Sequence, residues 1–297
     1  MMNTILERLL QRVSNNRIYK GGGCLPQSTD KRDWLWKART QILNATNLPL
    51  EYESQLDKKY IYNQELSNEC VACAYCTLRL LQESEQSNLQ EQFSPSFQYA
   101  NRVQGQNYEG YDLRSVCKKG REGSVLWKDF PNFYTYQKAH QIFEKNKHEL
   151  LNKAYPYRIN SFYLAKTNNE IMTAIYLTKG VLIGINITDK FKTTKDGIIN
   201  YSKNDESLGG HAICLIGWKI IDDKYYWIFV NSWGNSWGDN GKGYISFKDL
   251  KQCAITDAYV LVDDINEHTI EYNKRRTFCN ALQSVLNWFR QNLPFIK

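Results

Sequence analysis

The chain of 297 residues is 42% apolar and 23% charged, with 8 Trp, 20 Tyr and 12 Phe, which excludes a disordered tail, a collagen-like chain and a coiled coil. Its 38 Lys and Arg against 31 Asp and Glu give a net charge of +7, but the basic residues are scattered among acids, so nucleic acid is not expected as the main partner. No stretch approaches the ~20 apolar residues of a membrane span. The 8 cysteines, with no apolar leader ahead of them, point to reduced thiols, in the cytoplasm or packaged in a particle.

Four zones follow along the chain. Residues 1–47 form an N-terminal extension: Ile5, Leu6, Leu9, Leu10 and Val13 recur at helical spacing, and a flexible run, Gly21-Gly22-Gly23-Cys24-Leu25-Pro26, follows them. Over 48–155 the periodicity is helical, clearest at Cys70–Leu81 and Gln137–Leu151. Over 156–264 it changes to strands, expected at Val181–Ile187, Ala212–Ile221, Tyr225–Val230, Tyr244–Phe247 and Ala258–Val262, with one helical stretch at Glu170–Tyr176. Residues 265–297 form a basic extension. A helical half followed by a β half predicts an α+β fold of two lobes with a cleft between them.

Three segments carry residues fit for chemistry. Gln64-Glu65-Leu66-Ser67-Asn68-Glu69-Cys70 is a polar loop entering a helix, and a cysteine in the first helical turn faces unpaired N–H groups that favour thiolate. Gly209-Gly210-His211-Ala212 heads an apolar strand. Asn231-Ser232-Trp233-Gly234-Asn235-Ser236-Trp237-Gly238 ends another. Singly, each has a bland reading: a lone cysteine is usually a small buried hydrophobe, a lone histidine a satisfied structural one, an asparagine a turn residue. Together, a thiol, an imidazole to take its proton and an amide to orient that ring form a complete nucleophilic set. Cys70, Cys73 and Cys76 would be spread around a helix and lack a nearby fourth cysteine, so no metal and no cofactor is expected.

The order and spacing of these segments resemble the papain family of cysteine peptidases, and most closely its cathepsin B-like members. The paired Trp-Gly units after Asn231, Gly209-Gly-His-Ala, Phe93-Ser-Pro-Ser-Phe-Gln-Tyr and Cys253-Ala-Ile-Thr-Asp-Ala-Tyr carry the likeness. It implies a papain-like fold, with a helical lobe carrying the nucleophile and a β-barrel-like lobe carrying His and Asn. It also implies a cysteine endopeptidase acting on protein or peptide through a thioester, made as a zymogen. Cys73 fits the second cysteine of the family's local signature, but the family's oxyanion-hole glutamine precedes the nucleophile by six residues, and Gln64 stands six before Cys70. Cys70 is therefore the expected nucleophile, with His211 and Asn231 completing the triad.

The resemblance implies further roles. Trp233 would shield the triad, Trp237 would line the leaving-group side, Glu109, Gly110 and Ala212 would meet the substrate, and Ala258 would floor the second subsite. Gly21, Gly22, Gly23 and Cys24 would cross the cleft as an inhibitory segment. Cathepsin B's adjacent histidine pair is absent, which favours endopeptidase action. Asn68-Glu69 departs from the family's Gly-Ser and is expected to set a carboxylate beside the thiol. That departure supports the alternative, a papain-fold protein that binds peptides or a partner without cleaving.

Overall fold

The structure is a computed structural model and describes residues 22–27, 30–39, 47–102, 109–133, 135–194 and 196–263. The amphipathic stretch at 1–13, Gly21 and the basic extension lie outside the described residues.

A short α1 (Trp36–Arg39) and a two-residue β1 (Tyr52–Glu53) precede the central helix α2 (Cys70–Ser87). Every residue of α2 from Cys70 to Glu83 is buried, so this helix is covered on all sides and not along one stripe. It ends at Asn88, whose left-handed backbone (φ 56°) closes the last turn. α3 (Pro95–Ala100) starts on the hydroxyl of Ser94, which accepts from Phe97 N at 3.1 Å. α4 (Leu113–Gly120) starts on Asp112, which accepts from Ser115 N at 2.8 Å, and α5 (Tyr136–Ala154) completes the helical part.

Strands then dominate: β2 (Ser161–Ala165), β3 (Val181–Asn186), β4 (Ile198–Ile199), β5 (Gly210–Ile221), β6 (Lys224–Val230), β7 (Lys242–Ser246) and β8 (Ala258–Val262). Between them stand α6 (Asn168–Thr178), α7 (Asp189–Thr193) and α8 (Phe247–Cys253). α6 begins with a capping box in which Thr167 and Glu170 exchange side-chain and backbone bonds. The strands form one sheet in the order β2-β8-β3-β5-β6-β7-β4, with β1 added against β5. The architecture is mixed α+β, and the sheet has two free ends: it is not closed, where the resemblance implied a barrel-like lobe.

Register places the future site. β5 pairs with β6 through Cys214↔Val230, so Asn231, one residue past β6, falls diagonally across from His211 near the start of β5. One apolar cluster joins α2 (Cys70, Val71, Tyr75, Leu78) to β-strand residues Leu182, Cys214 and Ile216, while a second lies on the other face of the sheet around Trp218, Trp227 and Phe229. Arg79, wholly buried, bonds Gln82 and Glu83 on its own helix and Asp263 just past β8, which ties α2 to the end of the sheet. Among the described residues no helix is long and apolar enough to cross a membrane.

Candidate active site

The loop leading into Cys70 is laced to the turn after β6. Gln64 N donates to Ser232 O (2.8 Å) and Gly234 N to Tyr62 O (2.9 Å). The Gln64 side chain is held at both ends: Ser232 Oγ donates to its Oε1 (2.6 Å), and its Nε2 donates to Ser67 O (2.7 Å). One of the two amide N–H groups is used in that bond and the second remains. These ties bring Gln64, the first residue of α2 and the Asn231 turn into one neighbourhood.

His211 Nε2 lies 2.8 Å from Asn231 Oδ1. Ser232 N donates to the same atom at 2.8 Å, so that atom is an acceptor oxygen and His211 Nε2 carries the proton. Nδ1 then bears the lone pair, and it has no hydrogen-bond partner among the described residues. The Trp233 ring packs 4.9 Å from the imidazole and Phe191 of α7 lies 5.8 Å away, which keeps water from the His211–Asn231 bond. Trp237 lies beneath, 2% exposed, stacked on Phe191 and donating Nε1 to Phe191 O at 3.0 Å; it packs under the loop and is not open as a wall of the cleft.

The backbone N–H of Ala212, the residue next to His211, is directed at Cys70 Sγ, and no hydrogen bond joins that sulfur to His211 Nδ1. The helix start does not give the low thiol pKa expected from it. Burial pushes Cys70 up to about 12, against the opposing pull of the N–H groups of Ala212, Val71 and Cys70. Burial likewise brings His211 down to about 4, opposed by its bond to Asn231. Burial thus keeps both groups neutral near neutral pH.

Residues 22–25 pass directly over Cys70. Gly22 N and Cys24 N both donate to Gly210 O (2.9 and 3.2 Å) on one side. On the other, Tyr111 N donates to Gly23 O (2.9 Å) and Leu25 N to Tyr111 O (3.0 Å), a parallel bridge. A Cβ at Gly23 would lie 2.8 Å from Cys70 Sγ and 2.8 Å from Asn68 O, so only glycine fits there. Further on, Gln27 Oε1 accepts from Arg114 N (2.9 Å), and Arg114 pairs with Asp30 (2.6 Å) and Asp33 (2.8 Å).

Other expected residues fall as follows. The backbone that pairs with the segment belongs to Tyr111; Gly110 N is taken by Tyr99 Oη (2.9 Å), and Glu109 accepts from Asn68 Nδ2. Ala258 pairs with Ala165 and packs in the second cluster, and it lines a cavity of about 610 Å³ together with Ile255 and Thr256, while Cys24 Sγ lies over Gly184. Glu69 does not face Cys70. Its carboxylate accepts from Ser96 Oγ (3.0 and 3.1 Å) and directs its field at Cys73 and Cys76, and burial pushes it up to about 7. Cys73 lies inside the helix packing, 1% exposed. Phe191, Ser232 and Tyr111 escaped the sequence reading. Ser232 sits within the Asn231 motif and could have been found, whereas Phe191 is a single aromatic in a polar stretch.

The papain family cysteine protease profile matches residues 94–262, a stretch that holds His211 and Asn231 but begins after Cys70. The chain belongs to that family. It is 28% identical over 116 residues to cathepsin B-like protease 1 of Arabidopsis thaliana and 31% identical over 102 residues to a gut-specific cysteine proteinase of Caenorhabditis elegans. These matches cover 39% and 34% of this chain, and only 30% of each relative's length. Xylellain, a cysteine protease from Xylella fastidiosa, shares the fold at a TM-score of 0.70 and 20% identity, over 82% of this chain and 96% of xylellain. The structure of proCathepsin B S9 from Trypanosoma congolense aligns at a TM-score of 0.61 and 14% identity, over 82% and 87% of the two chains.

Proposed function

We propose that this chain is a cysteine endopeptidase held latent by its own segment Gly22–Leu25. The observation that carries the reading is the tautomer of His211: with Nε2 fixed on Asn231 Oδ1, the Nδ1 lone pair is the atom left to take a proton, and Cys70 Sγ sits beside the neighbouring Ala212 N–H. Once the segment leaves and water returns, the thiol proton passes to Nδ1 and the thiolate attacks a peptide carbonyl. The resulting oxyanion takes hydrogen bonds from Cys70 N–H and the second N–H of Gln64, whose plane is set by Ser232 and Ser67. The imidazolium protonates the leaving amine, and His211 then acts as base for the water that cleaves the thioester.

A second reading, peptide binding without cleavage, draws on the neutral state of the Cys70–His211 pair in the covered cleft. An epoxide probe and a fluorogenic peptide set, applied to a chain whose segment is displaced by Gly23→Leu, separate the two. Labelling confined to Cys70, lost together with hydrolysis in Cys70→Ala, is the expected result. Rapid labelling of Cys73, or hydrolysis that survives Cys70→Ala, overturns the assignment.

A further inference from the structure

The wall that pairs with the covering segment is fastened on both sides of Tyr111. Tyr111 itself gives its N–H to Gly23 O (2.9 Å) and takes the N–H of Leu25 (3.0 Å), so both its backbone groups face the peptide in the cleft. After it, Asp112 caps α4 through Ser115 N (2.8 Å). Before it, the amide of Gly110 donates to Tyr99 Oη (2.9 Å); Tyr99 is 3% exposed, and the Arg102 guanidinium lies 3.9 Å over its ring. One residue earlier still, the Glu109 carboxylate accepts from Asn68 Nδ2.

The Asn68–Glu109 bond differs from the others in what it joins. Tyr99 reaches the wall from α3, and Asp112 belongs to the start of α4. Asn68 instead stands two residues before Cys70, as Glu109 stands two residues before Tyr111. The bond therefore clasps the loop that delivers the nucleophile to the wall that offers a backbone N–H and C=O to a peptide, across 41 residues of chain. Asn68 is 7% exposed, a buried amide donor needs an acceptor, and a carboxylate is the stronger kind.

We infer that Asn68 and Glu109 are positioning residues, whose hydrogen bond holds the pairing groups of Tyr111 at a fixed offset from Cys70, so that a peptide pairs with the wall while lying over the sulfur. Glu109 then acts on the peptide through the wall, and not as the substrate contact that the resemblance implied. With the clasp cut, the wall must be ordered as the peptide binds, so the loss falls on affinity. The effect on substrates rests on the peptidase reading. The effect on the covering segment, which uses the same two groups of Tyr111, needs no catalysis.

The first series follows the rate at which iodoacetamide labels Cys70 in the intact full chain. Glu109→Ala and Asn68→Ala should each raise it about fivefold or more, and the double variant should not exceed the larger of the two, because one bond is lost in all three. Glu109→Gln should stay within about twofold of the parent, since its amide oxygen still accepts from Asn68 Nδ2. An unchanged rate in Glu109→Ala, a double variant equal to the product of the singles, or Glu109→Gln as fast as Glu109→Ala overturns the inference. Cys73, 1% exposed inside the helix packing, should stay unlabelled throughout. Its labelling together with Cys70 would mean a lost fold in place of a loosened wall, and overturns the inference as well.

The second series opens the full chain with Gly23→Leu and measures hydrolysis of fluorogenic peptides. Adding Glu109→Ala should raise KM about fivefold or more with kcat within about twofold, and Glu109→Gln should restore KM. A merely destabilised fold would lower kcat at unchanged KM, and that result rejects the clasp. A rise in KM shared by Glu109→Gln and confined to peptides carrying Lys or Arg would make the carboxylate a direct substrate contact, and rejects it too. Absence of cleavage for every peptide, with Cys70 freely labelled, overturns the peptidase reading alone, and the first series still decides the clasp.

Discussion

Replacing Gly23 by alanine should shift the cleft covered by residues 22–25 toward an open state. The added Cβ meets Cys70 Sγ and Asn68 O, each at 2.8 Å, and the second of these is backbone that cannot rotate away. Relief requires Gly23 to rise from the cleft floor, which strains its bond from Tyr111 N (2.9 Å) and the paired bond from Leu25 N to Tyr111 O (3.0 Å). Overpacking of this kind costs about 1–3 kcal/mol and each lost bond about 0.5–1.5 kcal/mol. Allowing for partial relaxation, the closed state loses about 2–4 kcal/mol, a factor of roughly 30 to 1,000 in the open-to-closed ratio. The assay is the iodoacetamide labelling rate of Cys70 under conditions where opening is in rapid equilibrium. A Gly23→Ala chain that labels no faster than the parent refutes the steric argument, because no contact at residue 23 would then be holding the segment down.

Three more outcomes follow from the same contacts. Gln64→Ala in an opened chain should lower kcat by about 10²–10³ with Cys70 labelling retained, since it removes an oxyanion donor and not the nucleophile; an unchanged kcat would reject that role. Arg114→Ala should speed Cys70 labelling by unfastening Asp30 and Asp33, and should have no effect once Gly23→Leu has displaced the segment. Glu69, raised by burial from 4.5 to about 7, binds more protons folded than unfolded between those values, so stability falls by ~3 kcal/mol as pH rises through that window. Glu69→Gln should flatten the dependence of Tm on pH between about 5 and 8 and raise Tm at the upper end; a slope equal to the parent's would place the titrating group elsewhere.

The parts of the site legible in sequence are those that depend on order and local chemistry. Gln64, Cys70, His211 and Asn231 were nominated because a nucleophile, a base and an orienting amide must follow one another at spacings the family shares. The five strands expected from alternating apolar runs are all present, and α2 runs six residues beyond its expected end because Gln82 and Glu83 are held by Arg79 and the sheet, contacts no local pattern encodes. β2, α7 and α8 were missed for a related reason: they are short, and their stability comes from Ala258, Phe191 and Leu250 packing against distant strands. Charge effects were the least legible. Glu69 was expected to act on Cys70 because the two are adjacent, but the start of α2 sends neighbouring side chains in different directions, and Glu69 turns to Ser96. The lowered thiol pKa expected from the helix start is overcome by burial of the thiol, which depends on tertiary packing and not on local sequence.

Burial gives the proposed latency an electrostatic side as well as a steric one. In the closed chain Cys70 titrates at about 12 and His211 at about 4, so the neutral thiol and neutral imidazole persist across the whole interval between. Raising pH from 5 to 9 leaves the covered thiol protonated, because its pKa is raised and its thiolate appears only above that range. Any alkylation seen in that interval comes from open molecules, whose rehydrated thiol can pass its proton to His211 Nδ1. The labelling rate is then the opening constant multiplied by the open-state thiolate fraction. The pH profiles of the parent chain and of Gly23→Leu should therefore share one shape and differ only in height. If the parent instead gains reactivity only at strongly alkaline pH while Gly23→Leu reacts near neutrality, the closed thiol reacts directly and the segment screens it without excluding the reagent.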